Sequence, residues 1–106
     1  MHDYNTKNIL LSSKPVSGII RIYNIHSDKS LLLESLDISD DIQAIRFKLD
    51  LGVYPNQELQ GEYEDIGLEL FSLEPWKIKE GNYPLHLLFL ESLKELQDKG
   101  IVLYQN

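Results

Sequence analysis

Gly18-Ile19-Ile20-Arg21-Ile22-Tyr23-Asn24-Ile25-His26-Ser27-Asp28-Lys29-Ser30-Leu31-Leu32-Leu33 is the stretch that decides the fold. From Gly18, the isoleucines and Tyr23 form a β-branched and aromatic run, the composition that suits a pleated, half-buried strand. His26-Ser27-Asp28-Lys29 is a polar turn, and Leu31-Leu32-Leu33 follows as a second short strand. Two strands joined by so short a turn pair best as an antiparallel hairpin. Beyond it the period changes. Ile38, Ile42, Ile45 and Leu49 recur at helical spacing, with Asp37 or Ser39 available as N-cap and Gly52 where the helix should stop. Pro55-Asn56 opens a second helix carrying Leu59, Tyr63 and Ile66, and Gly67 closes it. Leu68 to Leu73 reads as a third strand, apolar on both sides and so expected at the centre of the sheet. Residues 74–83 read as a polar connection. Pro84 starts a last helix through Leu85, Leu88, Phe89, Ser92, Leu93 and Leu96; Gly100 ends it, and Ile101 to Tyr104 return as an extended tail.

The expected architecture is therefore α/β (α+β), a small three-stranded antiparallel sheet flanked by helices in the order β-β-α-α-β-α. Its strands fall near 18–25, 29–34 and 68–74. Residues 1–16 are polar and irregular and read as a flexible N-terminal arm, with residues 17–106 as a single domain. A chain of 106 residues should bury roughly 65% of its unfolded surface, enough for one core. Hydrophobic residues at 42% and charged residues at 25% are ordinary globular values, which sets disorder aside. Cysteine is absent, which removes disulfides, thiolate metal sites and a cysteine nucleophile. With no apolar stretch near the ~20 residues of a bilayer span and no basic-then-apolar N-terminus, a soluble, cytoplasmic domain is expected.

Charge narrows the partners. The net charge is −7, and it is concentrated: residues 30–76 hold eleven acids against only Arg46 and Lys48, a local net of −9. Phosphate backbones need clustered Lys and Arg, so this section argues against nucleic acid. It suits a solvated face or a surface for a basic partner.

The element order and several residues resemble the GIY-YIG nuclease superfamily, which includes homing endonucleases and the excision-repair incision subunit. Gly18-Ile19-Ile20 stands where the family has its first triplet, with Asn24 before the turn. Leu31-Leu32-Leu33 lies at the spacing of the second triplet. Arg46 to Gln60 is similar to the helix–Gly–His–x–Asn–x–x–Leu–Gln segment of small bacterial members, and Gly67…Phe71-Ser72-Leu73-Glu74 to their third strand. The likeness runs ungapped from Gly18 to Gly52.

What the resemblance implies about chemistry is loss. The family tyrosines beside the scissile phosphate fall at Ile20 and Leu31, which cannot exchange a proton. The second triplet's Gly is Leu33. The phosphate-neutralising Arg, one helical turn before Ile45, falls at Asp41, which repels phosphate. The family His is Tyr54. The metal-binding Glu, three residues before the aromatic Phe89, falls at His86, and a neutral imidazole is a poor Mg²⁺ ligand. The closing Gly-Tyr-Asn has only a shifted echo in Tyr104 and Asn106.

Substitute groups have ordinary explanations. Arg46 is a solvated neighbour of Asp50 on its helix, and Tyr23 could replace Ile20 only by a strand slip that reverses its face. Asp37, Asp40 and Asp41 suit a helix N-terminus, and His2, His26 and His86 lack ligand spacing. Ser12-Ser13 has no nucleophile-elbow context. The expectation is a catalytically inactive domain without catalytic, cofactor or metal residues. It would serve as a protein-interaction or regulatory module whose partner is another protein or a second copy in a homodimer. The alternative is an active, Mg²⁺-dependent endonuclease with a relocated site. Ile20, Leu31 and Leu33 should form one closed apolar face, covered by the last helix near His86 and Phe89 or by a second copy.

Overall fold

The computed structural model describes residues 14–105; most of the expected arm, with His2 and Ser12-Ser13, and the terminal Asn106 lie outside the described residues. The chain forms β1 (Gly18–Asn24), β2 (Lys29–Ser35), α1 (Ile38–Leu51), α2 (Gln57–Ile66), a single 3₁₀ turn (Leu68–Leu70), β3 (Phe71–Ile78), α3 (Leu85–Asp98) and β4 (Val102–Leu103). β1 and β2 pair as the hairpin, Asn24 opposite Lys29 and Gly18 opposite Ser35. Among the described residues the sheet has four strands, not three, in the order β3-β1-β2-β4. The extended tail accounts for the difference: Val102 and Leu103 pair in parallel with Lys29 and Ser30.

The third strand is displaced from its expected place. Leu68–Leu70 is a 3₁₀ turn, and β3 runs through Glu74, Pro75, Trp76 and Lys77, residues expected in a connection. Its position also differs, because β1 is a central strand and β3 an edge. Pro75 supplies the reason. Proline has no N–H to donate to a ladder, so its strand belongs at an edge. A register shift in the β1–β3 ladder between Ile19 and Ile20 accommodates it.

Helices lie on both faces, because side chains alternate along β1 and β2. Ile20, Ile22 and Leu31 face Ile38, Ile42, Ile45 and Leu49 of α1 and Leu59 and Tyr63 of α2. Ile19 and Leu32 face Leu96 of α3, with Trp76, Leu88, Phe89 and Leu93 around them. The helix signals act as the sequence suggests. Asp37 caps α1 by accepting from the Asp40 amide, and Asn56 caps α2 by accepting from Leu59. Gly52 ends α1 in the left-handed region at φ 79°, which a residue with a Cβ adopts at a cost.

Candidate functional site

Ile20 and Leu31 are 1% and 3% exposed. Ile20 stands opposite Leu33 across the β1–β2 ladder, and Leu31 opposite Ile22, so the three residues share one face as expected. The cover differs from expectation. α1 and α2 seal this face within the chain, and α3 packs on the other side of the sheet. Strand parity decides it: Ile20 and Leu31 belong with Ile22, whereas the α3 side receives Ile19 and Leu32.

The remaining family positions are dispersed. Asp41, in the first turn of α1, accepts a 2.6 Å hydrogen bond from the Ser35 hydroxyl, whose oxygen accepts from the Asp37 amide. Asp41 thus fastens the β2–α1 junction. Tyr54 packs half-buried against the α1–α2 core, and burial raises the pKa of its phenol. His86 is exposed on the first turn of α3, its Nδ1 2.6 Å from Glu34 Oε2 and its ring stacked on Phe89. Glu34 and Leu33 are consecutive on a strand and point to opposite faces, so His86 stands across the sheet from Ile20 and Leu31.

These residues do not fit the Mg²⁺ that the family binds. His86 offers only imidazole nitrogens, its Nδ1 already engaged by Glu34, where a hard cation requires oxygens. Among the described residues no group of three or more His, Asp or Glu side chains is arranged to hold a metal ion. Arg46 is exposed on α1, and Asp50 accepts instead from the Tyr63 hydroxyl. Tyr23 donates to Asp28 at 2.6 Å and lies under the Arg21 guanidinium, on the α3 side of the sheet.

What the fold does gather is a polar cluster that local sequence patterns do not connect. Asn24, at the end of β1 and 1% exposed, donates through Nδ2 to Glu62 at 2.9 Å and to the Tyr104 hydroxyl at 3.0 Å. Tyr104 donates in turn to Glu62 at 2.6 Å. Lys29 donates to Glu62 at 2.6 Å and to Glu58 at 2.7 Å, and its ammonium sits over the Tyr104 ring. Burial opposes the charge on Glu62, but the bonds from Lys29, Tyr104 and Asn24 outweigh it and lower its pKa. Burial first, and then the bond to Glu62, push the Tyr104 phenol up to about 12. Hydrogen bonds to Glu58 and Glu62 hold Lys29 protonated. A neutralised carboxylate, a phenol of high pKa and a pinned ammonium are suited to clamping, not to proton transfer at neutral pH. The cluster ties the hairpin turn, α2 and the C-terminal tail together. Asn24 and Tyr104 were visible as family echoes, but nothing local in the sequence links Lys29 to Glu62.

Arg21 forms a second polar feature on the α3 side. Its guanidinium lies over the rings of Tyr23 and Trp76, its Nε donates to Ser30 at 2.9 Å, and Glu74 approaches at 3.7 Å.

No family model matches the sequence, and no curated protein matches it. Two solved structures do. The structure of the catalytic domain of homing endonuclease I-TevI aligns with a TM-score of 0.64 at 21% identity, covering 85% of this chain and 99% of that one. The catalytic domain of intron endonuclease I-TevI, in a form with one glutamate changed to alanine, aligns with a TM-score of 0.65 at 22% identity, covering 85% and 92%. At this identity the likeness establishes the fold: this chain has a GIY-YIG-like architecture.

Proposed function

We propose that this chain is a GIY-YIG-fold domain that has lost phosphodiester cleavage and works as a protein-interaction or regulatory module. One observation carries the reading. The two positions that resemble the family's reactive tyrosines hold Ile20 and Leu31, and both are sealed in the α1–α2 core. A phosphate cannot reach them without unfolding the sheet face, and neither side chain could activate water if it did. Asp41 in place of the family Arg, and His86 in place of the Glu, support the same reading.

The test is direct. Purified protein incubated with supercoiled and linear duplex DNA and Mg²⁺ or Mn²⁺ should leave the DNA intact, and at physiological salt it should not retard duplex DNA in a gel. Metal-dependent nicking that disappears in Arg46→Ala, or in Glu91→Ala at an exposed position of α3, would overturn the reading and establish a relocated site.

A further inference from the structure

The C-terminal end of α1, α2 and the 3₁₀ turn leave apolar side chains in solvent beside carboxylates that have no ion-pair partner among the described residues. Phe47 and Leu51, one turn apart on the outer face of α1, are 65% and 59% exposed, and Val53 and Leu68 are 60% and 41% exposed. Next to them are two shallow hollows of about 460 and 470 Å³ that share Gly52 and Glu64. The first has Leu49, Leu51 and Leu68 as its apolar lining and Asp50 and Glu64 as its charged groups. Val53, Tyr54 and Pro55 supply apolar surface to the second.

The electrostatics of this surface have one sign. Residues 50–70 contain six acids, Asp50 at their start among them, and no Lys or Arg. Lys29 neutralises Glu58 and Glu62. Asp50 and Glu64 accept hydrogen bonds from the neutral Tyr63 hydroxyl and Gln60 amide. Asp65 and Glu69 are exposed. The negative end of the α1 dipole emerges at Gly52, between the hollows, and adds to the attraction for a cation. Arg46 and Lys48 on α1 are the nearby bases, two against four unneutralised carboxylates.

We infer that this surface docks a basic amphipathic segment of a partner protein, its large apolar side chains in the hollows and its Lys or Arg against Asp50, Glu64, Asp65 and Glu69. The charge discriminates among occupants. Nucleic acid and anionic lipid headgroups would meet carboxylates. A second copy docking isologously would set this acidic surface against itself. A segment with apolar anchors and flanking cations satisfies both features, in the manner of a helix laid in a groove. The inference rests on the reading of the chain as an interaction module, and supplies the location and chemistry of its contact.

The experiment uses the full chain, ¹⁵N-labelled, and three fluorescein-labelled synthetic peptides about four turns long. The first is a Leu/Lys amphipathic helix, the second its Leu/Glu counterpart, and the third a Ser/Lys peptide of the same charge. The Leu/Lys peptide should bind saturably by anisotropy, weaken with added salt, and shift amide resonances in residues 47–53 and 60–69. The Leu/Glu and Ser/Lys peptides should not bind. Glu64→Lys and Glu69→Lys should each weaken binding by about tenfold, whereas Glu80→Lys, an equal charge change in the β3–α3 connection, should leave it unaltered. Leu51→Ser should weaken it comparably, with thermal melts confirming that each variant is folded. Equal binding of the Ser/Lys peptide, shifts confined to α3, an effect of Glu80→Lys equal to that of Glu64→Lys, or no binding at all would each overturn the inference. Any of these alongside intact DNA in the cleavage assay removes this surface and leaves the non-nuclease reading standing; cleavage would remove that reading by itself.

Discussion

Leu31 works as a structural residue. Its side chain is 3% exposed beneath α1 and α2, so Leu31→Ala should cost about 2–5 kcal/mol through lost transfer energy and a residual cavity. Leu31→Tyr adds a ring and a hydroxyl to a closed core and should cost about 1–3 kcal/mol by overpacking. Urea melts measure both; two variants as stable as the parent would mean that this face opens. Gly18 is constrained for another reason. A Cβ there would lie 2.1 Å from the Lys77 carbonyl oxygen and 3.0 Å from Ile38 Cδ1, so Gly18→Ala must push β3 away from β1. The same melts should show a loss at least as large as that of Leu31→Tyr. Gly18 is thus required for packing, independent of any chemistry at Ile20.

Among the elements, the C-terminal tail is the one whose attachment is most distributed. β4 contributes only two ladder residues, but Tyr104 is 4% exposed, its amide donates to the Ser30 carbonyl, and Asn56 Nδ2 donates to the Gln105 carbonyl. Tyr104→Phe would leave Glu62 and Asn24 each short of a partner, at a cost of about 1–3 kcal/mol. Hydrogen exchange should show the Tyr104 amide losing protection before the β1–β2 ladder does. The α1 cap is a simpler device. Asp37→Ala should destabilise by about 1 kcal/mol, and Asp37→Asn by much less, because the amide oxygen still accepts from the Asp40 amide.

For the whole molecule, pH dependence follows from the clamp. Glu62 has a folded pKa below its ordinary 4.5, so its contribution to stability is present above that value and is lost as pH falls through the lower folded one. Glu62→Gln should flatten the acid limb of the stability profile while lowering the plateau at neutral pH. Tyr104 works in the opposite direction. Its pKa is raised from 10.0 to about 12, so the stability it supplies is present below pH 10 and fades as pH rises through the folded value. Chemical denaturation across pH, with the parent chain and Glu62→Gln measured in parallel, checks both limbs. An unchanged acid limb in Glu62→Gln would mean that other carboxylates govern it.

Local sequence determined much of this protein. The hairpin, the three helices, their caps and their glycine stops are set by short-range hydrogen bonds and by the change from a two-residue to a helical hydrophobic period, both legible within a window of ten residues. So was the face that Ile20 shares with Leu31 and Leu33, because side chains alternate along paired strands. The third strand was misplaced because Leu68-Glu69-Leu70 carries strand-like composition over too few residues to separate a 3₁₀ turn from a strand, while Pro75 discouraged the extension that an edge position permits. Which helix covers Ile20 and Leu31, and the meeting of Lys29, Asn24, Glu62 and Tyr104, were decided only in three dimensions. Those contacts join residues up to 80 apart in sequence, and closing such loops leaves no periodicity behind for a local reading to find.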